Sequence, residues 1–443
     1  MWVLTTFFAM TSLVILWLCA AYFVVLRFVG IVRKRPSPVE PETLPRLSVV
    51  VPCFNEARLI EQKLENLLQC DYPSYRVEFI FVDGGSHDGT LELLKTNAPS
   101  QRRIRIYESP AKGKINQLNH VLPKLTGEIV VITDADGMME RDTLRKFAAE
   151  FAVEDVPWVV GAYSRPSQSI WRDRCFWDSQ NRGRLIESDA HGSSIVIATC
   201  YAFRRELLRQ FPEDVVADDV FIGFLAHSQS KRVVYSRAAR VTEVRGPGGI
   251  AEFLSHKFRK NNAFLRESLR FIYRLPDMNG LSKLMMLTRT AQQLLLPWCV
   301  GVWSLLALTL LTLGRIDILV MAAATLLLSL LVARQAFQSI DVPPGVKERF
   351  GLHKYGVVFL ETICVLFAAA LSYPYFRQNS SYARISNRNV GAGESHDHLV
   401  RIVSPPDSLH LSSPRLVDRM GLPVSIRAAA DAVGEAVIMP IGA

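Results

Sequence analysis

Seven cysteines are scattered through the 443 residues, and no two stand at C-x-x-C spacing. An odd number with no pairing pattern leaves them as reduced packing residues in a cytoplasmic domain. There is also no basic stripe interleaved with aromatics, so the excess of 51 Lys and Arg over 42 Asp and Glu does not indicate nucleic acid. No internal repeat recurs. The longest absence is of charge: residues 2–26, WVLTTFFAMTSLVILWLCAAYFVVL, contain no Asp, Glu, Lys, Arg or His.

Twenty-five such residues span a bilayer core and exceed the short apolar region of a cleaved signal peptide. Residues 1–32 are thus expected to be a membrane anchor. Further apolar runs at 291–314, 318–333 and 355–376 predict about three more crossings within 291–376; the last run is interrupted by Glu361. Arg33-Lys34-Arg35 should stay inside, which puts the amino terminus outside and the domain that follows in the cytoplasm of a multi-pass cell-membrane protein. Gly314-Arg315-Ile316-Asp317 reads as an external hairpin, and Lys347, Arg349 and Lys354 return the chain inside. A fourth crossing leaves the tail outside, whereas Arg377, Arg384 and Arg388 pull it inside, so the crossing number stays open. Glu361, near a helix start, is expected to snorkel to the interface. Residues 384–443, with SPPDSLHLSSPRL, lack sustained periodicity and read as loosely ordered.

Between the anchor and the later runs, short aliphatic stretches alternate with helical patterns. LSVVVPCF (47–54), VEFIFVDG (77–84), IRIYES (104–109) and EIVVITDAD (128–136) read as strands; 57–69, 91–96 and 141–151 have helical spacing. Continuous aliphatic strands between helices predict an α/β domain with a mostly parallel, Rossmann-like sheet covered on both faces. Ligands bind beyond the carboxyl ends of such strands, and those ends carry Asn55-Glu56, Asp83, and the doublet Asp134 and Asp136. AKGKINQLNHVL adds Lys112 and Lys114. Each alone has a bland reading as turn, cap or solvated loop; their convergence on one sheet edge does not.

As a set, VVPCFNEARLIEQKLENLLQCDYP, FIFVDGGSHDGT, GKINQLN, GEIVVITDAD and VVADDVFIGFLAHSQSKRVVYSRAARVTE resemble family-2 glycosyltransferases over residues 45–275. The resemblance is to the membrane-anchored branch that includes cellulose, chitin, hyaluronan and biofilm polysaccharide synthases. It implies an A-type glycosyltransferase fold and inverting transfer from a nucleotide sugar, expected to be a UDP-sugar, to a glycan or lipid-linked acceptor, in contact with membrane lipids. It further implies that Asp83 contacts the base or ribose, that Lys114 lies near the uracil or phosphates, that Asp134 contacts the donor and that Asp136 ligates Mg2+ or Mn2+. Asn55, Glu56 and Asn119, within the matching motifs, join the expected substrate-binding set. The chemistry agrees: a departing nucleoside diphosphate gathers negative charge, which a hard cation held by one or two carboxylates can neutralise.

An inverting transferase needs a base for the acceptor hydroxyl. The resemblance assigns it to the pair Asp218-Asp219, with Asp219 first and Asp218 as the alternative; either also suits a helix N-cap. Processive relatives carry Gln-x-x-Arg-Trp afterwards, whereas HKFRKNNAF (256–264) offers Arg259 with neither Gln nor Trp, which favours a single addition. The surrounding basic, amphipathic stretch is expected on the membrane surface. Trp171 and Trp177 suit either an acceptor site or core packing. A nucleotidyltransferase is disfavoured because PCFNEA is not a glycine-rich phosphate loop, and a transporter because the apolar runs carry no distributed charges. The remaining alternative is a catalytically silent nucleotide-sugar-binding subunit of an assembly complex, which loss of the carboxylates would mark; they are present.

Overall fold

The aliphatic runs become the inner strands of one sheet. The computed structural model describes residues 1–98, 103–153, 156–343, 350–373 and 375. The expected tail at 384–443 lies outside the described residues, as do Lys347, Arg349, Arg377, Arg384 and Arg388. Strands β1 (Leu47–Cys53), β2 (Val77–Asp83), β3 (Ile104–Glu108) and β4 (Ile129–Thr133) stand where the runs are. β5 (Gly137–Met139), β6 (Val159–Pro166), β7 (Cys200–Arg204) and β8 (Val233–Glu243) complete the order β3-β2-β1-β4-β7-β6-β8-β5. β1 runs parallel to β2 and β4, and β2 to β3. β7 then enters antiparallel between β4 and β6.

The helices are α1 (Trp2–Leu16), α2 (Tyr22–Arg33), α3 (Ile60–Leu68), α4 (Thr90–Asn97), α5 (Lys114–Val121), α6 (Thr143–Glu150) and α7 (Trp171–Ala190). After them come α8 (Asp218–Ser228), α9 (Ile250–Arg270), α10 (Gly280–Leu294), α11 (Leu296–Thr312), α12 (Asp317–Gln338) and α13 (Leu352–Ser372). Alternation along β1 decides what each face of the sheet buries. Val50 joins the core with Ile115 and Leu118 of α5 and Phe224 of α8. Val49 and Val51 point the other way, towards Leu64 of α3 and Phe147 of α6. Ile60, Leu64 and Leu67 recur at helical spacing, so α3 lays one stripe on the sheet. Phe147 is fully buried, and truncating it to alanine would cost about 3–5 kcal/mol.

Trp2–Arg33 forms one long helical stretch, α1 passing into α2 through a wider turn at Trp17–Ala21. This stretch, α12 and α13 are long and apolar enough to cross a membrane. The expected run at 291–314 instead straddles a 55° bend between α10 and α11, which together make a fourth candidate span.

Two residue groups named from the sequence find protein partners here. Glu361 Oε1 accepts a hydrogen bond from Arg172 Nε of α7 at 2.7 Å, where α13 packs along α7 and α9. One face of α9 is buried in the protein. Its polar residues His256, Lys257, Asn261 and Asn262 are buried with Phe253 and Leu265.

The same helices are stitched to the sheet domain by one carboxylate. Glu187 of α7, fully buried, accepts from Tyr22 Oη at 2.7 Å and Arg289 Nε at 2.6 Å. Its other oxygen takes the Ser194 backbone N–H and hydroxyl.

Candidate active site

The polar strand ends meet α8 and α9 around one cavity of about 460 Å3. β4 stops at Thr133, where the chain turns back on itself through a Gly137 N–H to Asp134 carbonyl bond of 3.1 Å. Asp134 and Asp136 therefore leave the sheet at the cavity edge rather than continuing a strand. Opposite them, α8 begins at Asp218, which places both carboxylates of the acidic pair in its first turn.

Lys114 links the two groups. Gly113 has φ +105°, a conformation that side chains resist, and it allows α5 to start at Lys114. The ammonium then lies 2.8 Å from Asp134 Oδ1 and 3.1 Å from Asp218 Oδ2. Burial opposes its charge, but Asp134 and Asp218 prevail and hold it protonated well above a lysine's ordinary range.

The acidic pair is not symmetric. Asp218 also accepts from the buried Tyr201 hydroxyl at 2.7 Å, so two donors hold it. Asp219 Oδ2 accepts the Ala198 backbone N–H at 3.0 Å. Burial and the neighbouring Asp218 push Asp219 up to about 6, against the pull of Lys114 and Lys260. A carboxylate with a pKa near 6 is ionised at neutral pH yet basic enough to take a proton.

Asp136 faces Arg245, whose Nε is 3.4 Å away, and Arg245 also pairs with Glu56 at 2.6 Å. Burial raises Asp136 despite the guanidinium. Glu243, at the end of β8, is pushed by burial up to about 8, with Asp136 and Asp173 adding to the rise and Lys260 opposing it. Among the described residues, no group of three or more His, Cys, Asp or Glu is placed to enclose a metal ion.

Glu56, Lys114, Asp134, Asp136, Asp218, Asp219 and Arg259 all line the cavity. Asn55, Asp83 and Asn119 are not on its wall. Asp83 is buried and accepts from the Gly85 and Ser86 backbone N–H groups, ordering its own glycine-rich loop. Asn55 receives the His87 N–H at 2.7 Å in the same loop. Asn119 exchanges hydrogen bonds with the Phe211 backbone on both sides of its amide, which ties α5 to the segment before α8. Trp177 lines the cavity and is also core, 4% exposed. Trp171 instead carries the Arg172 guanidinium and the Lys354 ammonium on its ring.

Sequence reasoning missed Glu243, Arg245, Arg184 and His256. For the first two a signal existed, since RVTEVRGPGG ends a strand in charged residues before a glycine-rich turn, as the earlier strands do.

Residues 48–211 match the family model Glycosyl transferase family 2. The beta-monoglucosyldiacylglycerol synthase of Trichormus variabilis is 29% identical over 219 residues, 45% of either chain. Glycosyltransferase AglE of Haloferax volcanii is 32% identical over 149 residues, 33% of this chain and 48% of that one. The chain thus spans less than half the length of these relatives. The solved structure of mannosyltransferase PcManGT from Pyrobaculum calidifontis, in complex with GDP-Man and Mn2+, aligns with a TM-score of 0.64 and 24% identity. That match covers 84% of this chain and 99% of that one. The sheet domain therefore has the A-type glycosyltransferase fold, and the chain carries a glycosyl transferase family 2 domain.

Proposed function

We propose that the protein is an inverting glycosyltransferase that moves a sugar from a nucleotide sugar, a UDP-sugar by the sequence motifs, to a glycan or lipid-linked acceptor at a membrane. The observation that carries this reading is the meeting of Asp134 and Asp136 with Asp218 and Asp219 around one cavity, bridged by Lys114. The name of the diacylglycerol-glucosylating relative supports a lipid acceptor. The candidate membrane helices support a membrane site, with residues 45–275 on the cytoplasmic side and the 1–32 and 291–376 segments in the bilayer.

In this reading Asp219 takes the proton of the acceptor hydroxyl, and Asp218 is fixed beside it by Tyr201 and Lys114. The freed oxygen attacks the anomeric carbon on the face opposite the diphosphate, which inverts the centre. Asp136 would hold Mg2+ or Mn2+ with the donor's phosphate oxygens, and that ion supplies compensation for charge on the leaving group. Lys114 and Arg245 contribute fixed positive charge at the same edge. Retention of every carboxylate argues against a silent binding subunit.

The test is to offer the purified full chain a panel of nucleotide sugars and measure released nucleoside diphosphate. Turnover of one donor, rising with added acceptor lipid, is the expected result; no release from any donor overturns the proposal.

A further inference from the structure

Part of the cavity lining comes from Trp177 and Arg184 of α7, His256, Lys260 and Asn261 of α9, and Val365 and Leu366 of α13. Four cations on the cavity wall have matched carboxylates. Lys114 pairs with Asp134 and Asp218, Arg245 with Glu56, Lys257 with Asp173, and Arg289 with Glu187.

Arg184 and Lys260 are different. Arg184 is 7% exposed, its Nη1 has no hydrogen-bond partner, and neither residue forms an ion pair among the described residues. Both lie near one indole: the Arg184 guanidinium is 5.7 Å and the Lys260 ammonium 4.7 Å from the Trp177 ring. Asp219 is within electrostatic reach of each but pairs with neither. Both ring nitrogens of His256 and both amide atoms of Asn261 are also buried, without partners among the described residues. Burying so many unmet polar groups is costly unless a ligand satisfies them.

We propose that this part of the cavity is an acceptor subsite for a lipid phosphate whose head group bears the nucleophilic hydroxyl. Arg184 and Lys260 bind the phosphate, His256 and Asn261 bind the head group's hydroxyls, and Val365 and Leu366 flank the first part of the apolar chain. The planar guanidinium suits a phosphate's oxygens, and the burial of Arg184 makes its charge-assisted bond stronger than one at a surface, while the exposed Lys260 adds a second charge. The apolar flank belongs to a helix that is itself a candidate membrane span, so a tail leaving along it would stay in hydrocarbon. An uncharged lipid would leave the buried Arg184 guanidinium unanswered.

The proposal rests on the transferase reading, and its step balances within it. The head-group O–H gives its proton to Asp219. Its oxygen bonds to the anomeric carbon as the bond from that carbon to the diphosphate breaks, and the electron pair leaves on the nucleoside diphosphate.

The test is a binding measurement on the full chain in neutral detergent, comparing farnesyl phosphate, farnesol and inorganic phosphate. Farnesyl phosphate should bind at least about tenfold tighter than either of the others, the factor expected from one or two charge-assisted hydrogen bonds. Arg184→Gln and, separately, Lys260→Gln should each remove most of that preference while nucleotide affinity stays within a few-fold, which also reports that the variants are folded. Equal binding of farnesol overturns the phosphate assignment, and equal binding of inorganic phosphate overturns the lipid. A parallel loss of nucleotide affinity in both variants overturns the proposal by assigning these cations to the donor diphosphate. Nucleoside diphosphate release, measured separately, tests the transferase reading on its own.

Discussion

Lys114 Nζ stands 2.8 Å from Asp134 and 3.1 Å from Asp218, so a single ammonium joins the carboxylates at the end of β4 to those at the start of α8. Removing it leaves buried charges unpaired. Lys114→Met should lower stability at pH 7 by about 3–5 kcal/mol. Thermal unfolding of the detergent-solubilised chain at pH 7 reads this directly. An unchanged melting temperature would mean that the bridge is dispensable.

Asp219 and Asp218 should separate by role. Asp219→Asn keeps size but cannot accept a proton, and turnover should fall by roughly 10²–10⁴-fold. Nucleotide affinity should change by less than about tenfold, or 1.4 kcal/mol. Should Asp218→Asn alone abolish turnover while Asp219→Asn does not, the base assignment reverses.

The rate should also carry the signature of Asp219. Its carboxylate must be ionised to act, and burial beside Asp218 raises it to about 6. Activity should therefore rise with pH through about 6 and level off above it, the residual rate of Asp219→Asn losing that limb. A wild-type profile flat between pH 5 and 8 would exclude this group as the titrating base.

Metal dependence can be read in binding as well as rate. Chelation should abolish transfer, and Asp136→Ala should weaken metal-dependent nucleotide binding and turnover together, unlike Asp219→Asn. Full activity in excess chelator would remove the cation from the scheme.

Orientation is open to a simple assay. A reporter fused near residue 40, after Arg33-Lys34-Arg35, should be active only as a cytoplasmic fusion. Activity only outside the cell would separate the cavity from cytosolic nucleotide sugars.

Much of the sheet was legible because its strands are uninterrupted aliphatic runs that end in polar residues. VVITDAD announces both a buried strand and its exit, and the structure differs only in stopping the strand at Thr133. β7 was not legible. Five residues, CYAFR, inserted antiparallel between β4 and β6, break the alternation of strand and helix from which the order was inferred.

α7 misleads more deeply. WRDRCFWDSQNRGRLIESDA has no clean apolar stripe, and a helix polar on every side normally faces water. Here Asp173, Asp178, Asn181, Arg184 and Glu187 are all buried, and all but Arg184 meet polar partners from distant parts of the chain: Lys257, Tyr355, Tyr235, Tyr22 and Arg289. Local pattern cannot anticipate surroundings drawn from so far away, which is why Arg184, buried beside the Trp177 and Tyr235 rings, escaped notice while Lys114, beside a glycine in a recognisable motif, did not.

The Glu187 junction also bears on how the molecule is made. Its hydrogen-bond donors come from Tyr22, 165 residues earlier, and from Arg289, 102 residues later. During synthesis this carboxylate therefore leaves the ribosome long before its cation. Ser194, held by the same carboxylate, begins the loop that leads to the Ala198 N–H on Asp219. The loop that donates to Asp219 has its full support only when α10 has arrived, so a half-made chain carries these carboxylates without the frame that sets them in place. A fragment cut before residue 280 would stay in that unfinished condition, with the buried Glu187 facing the space where Arg289 belongs.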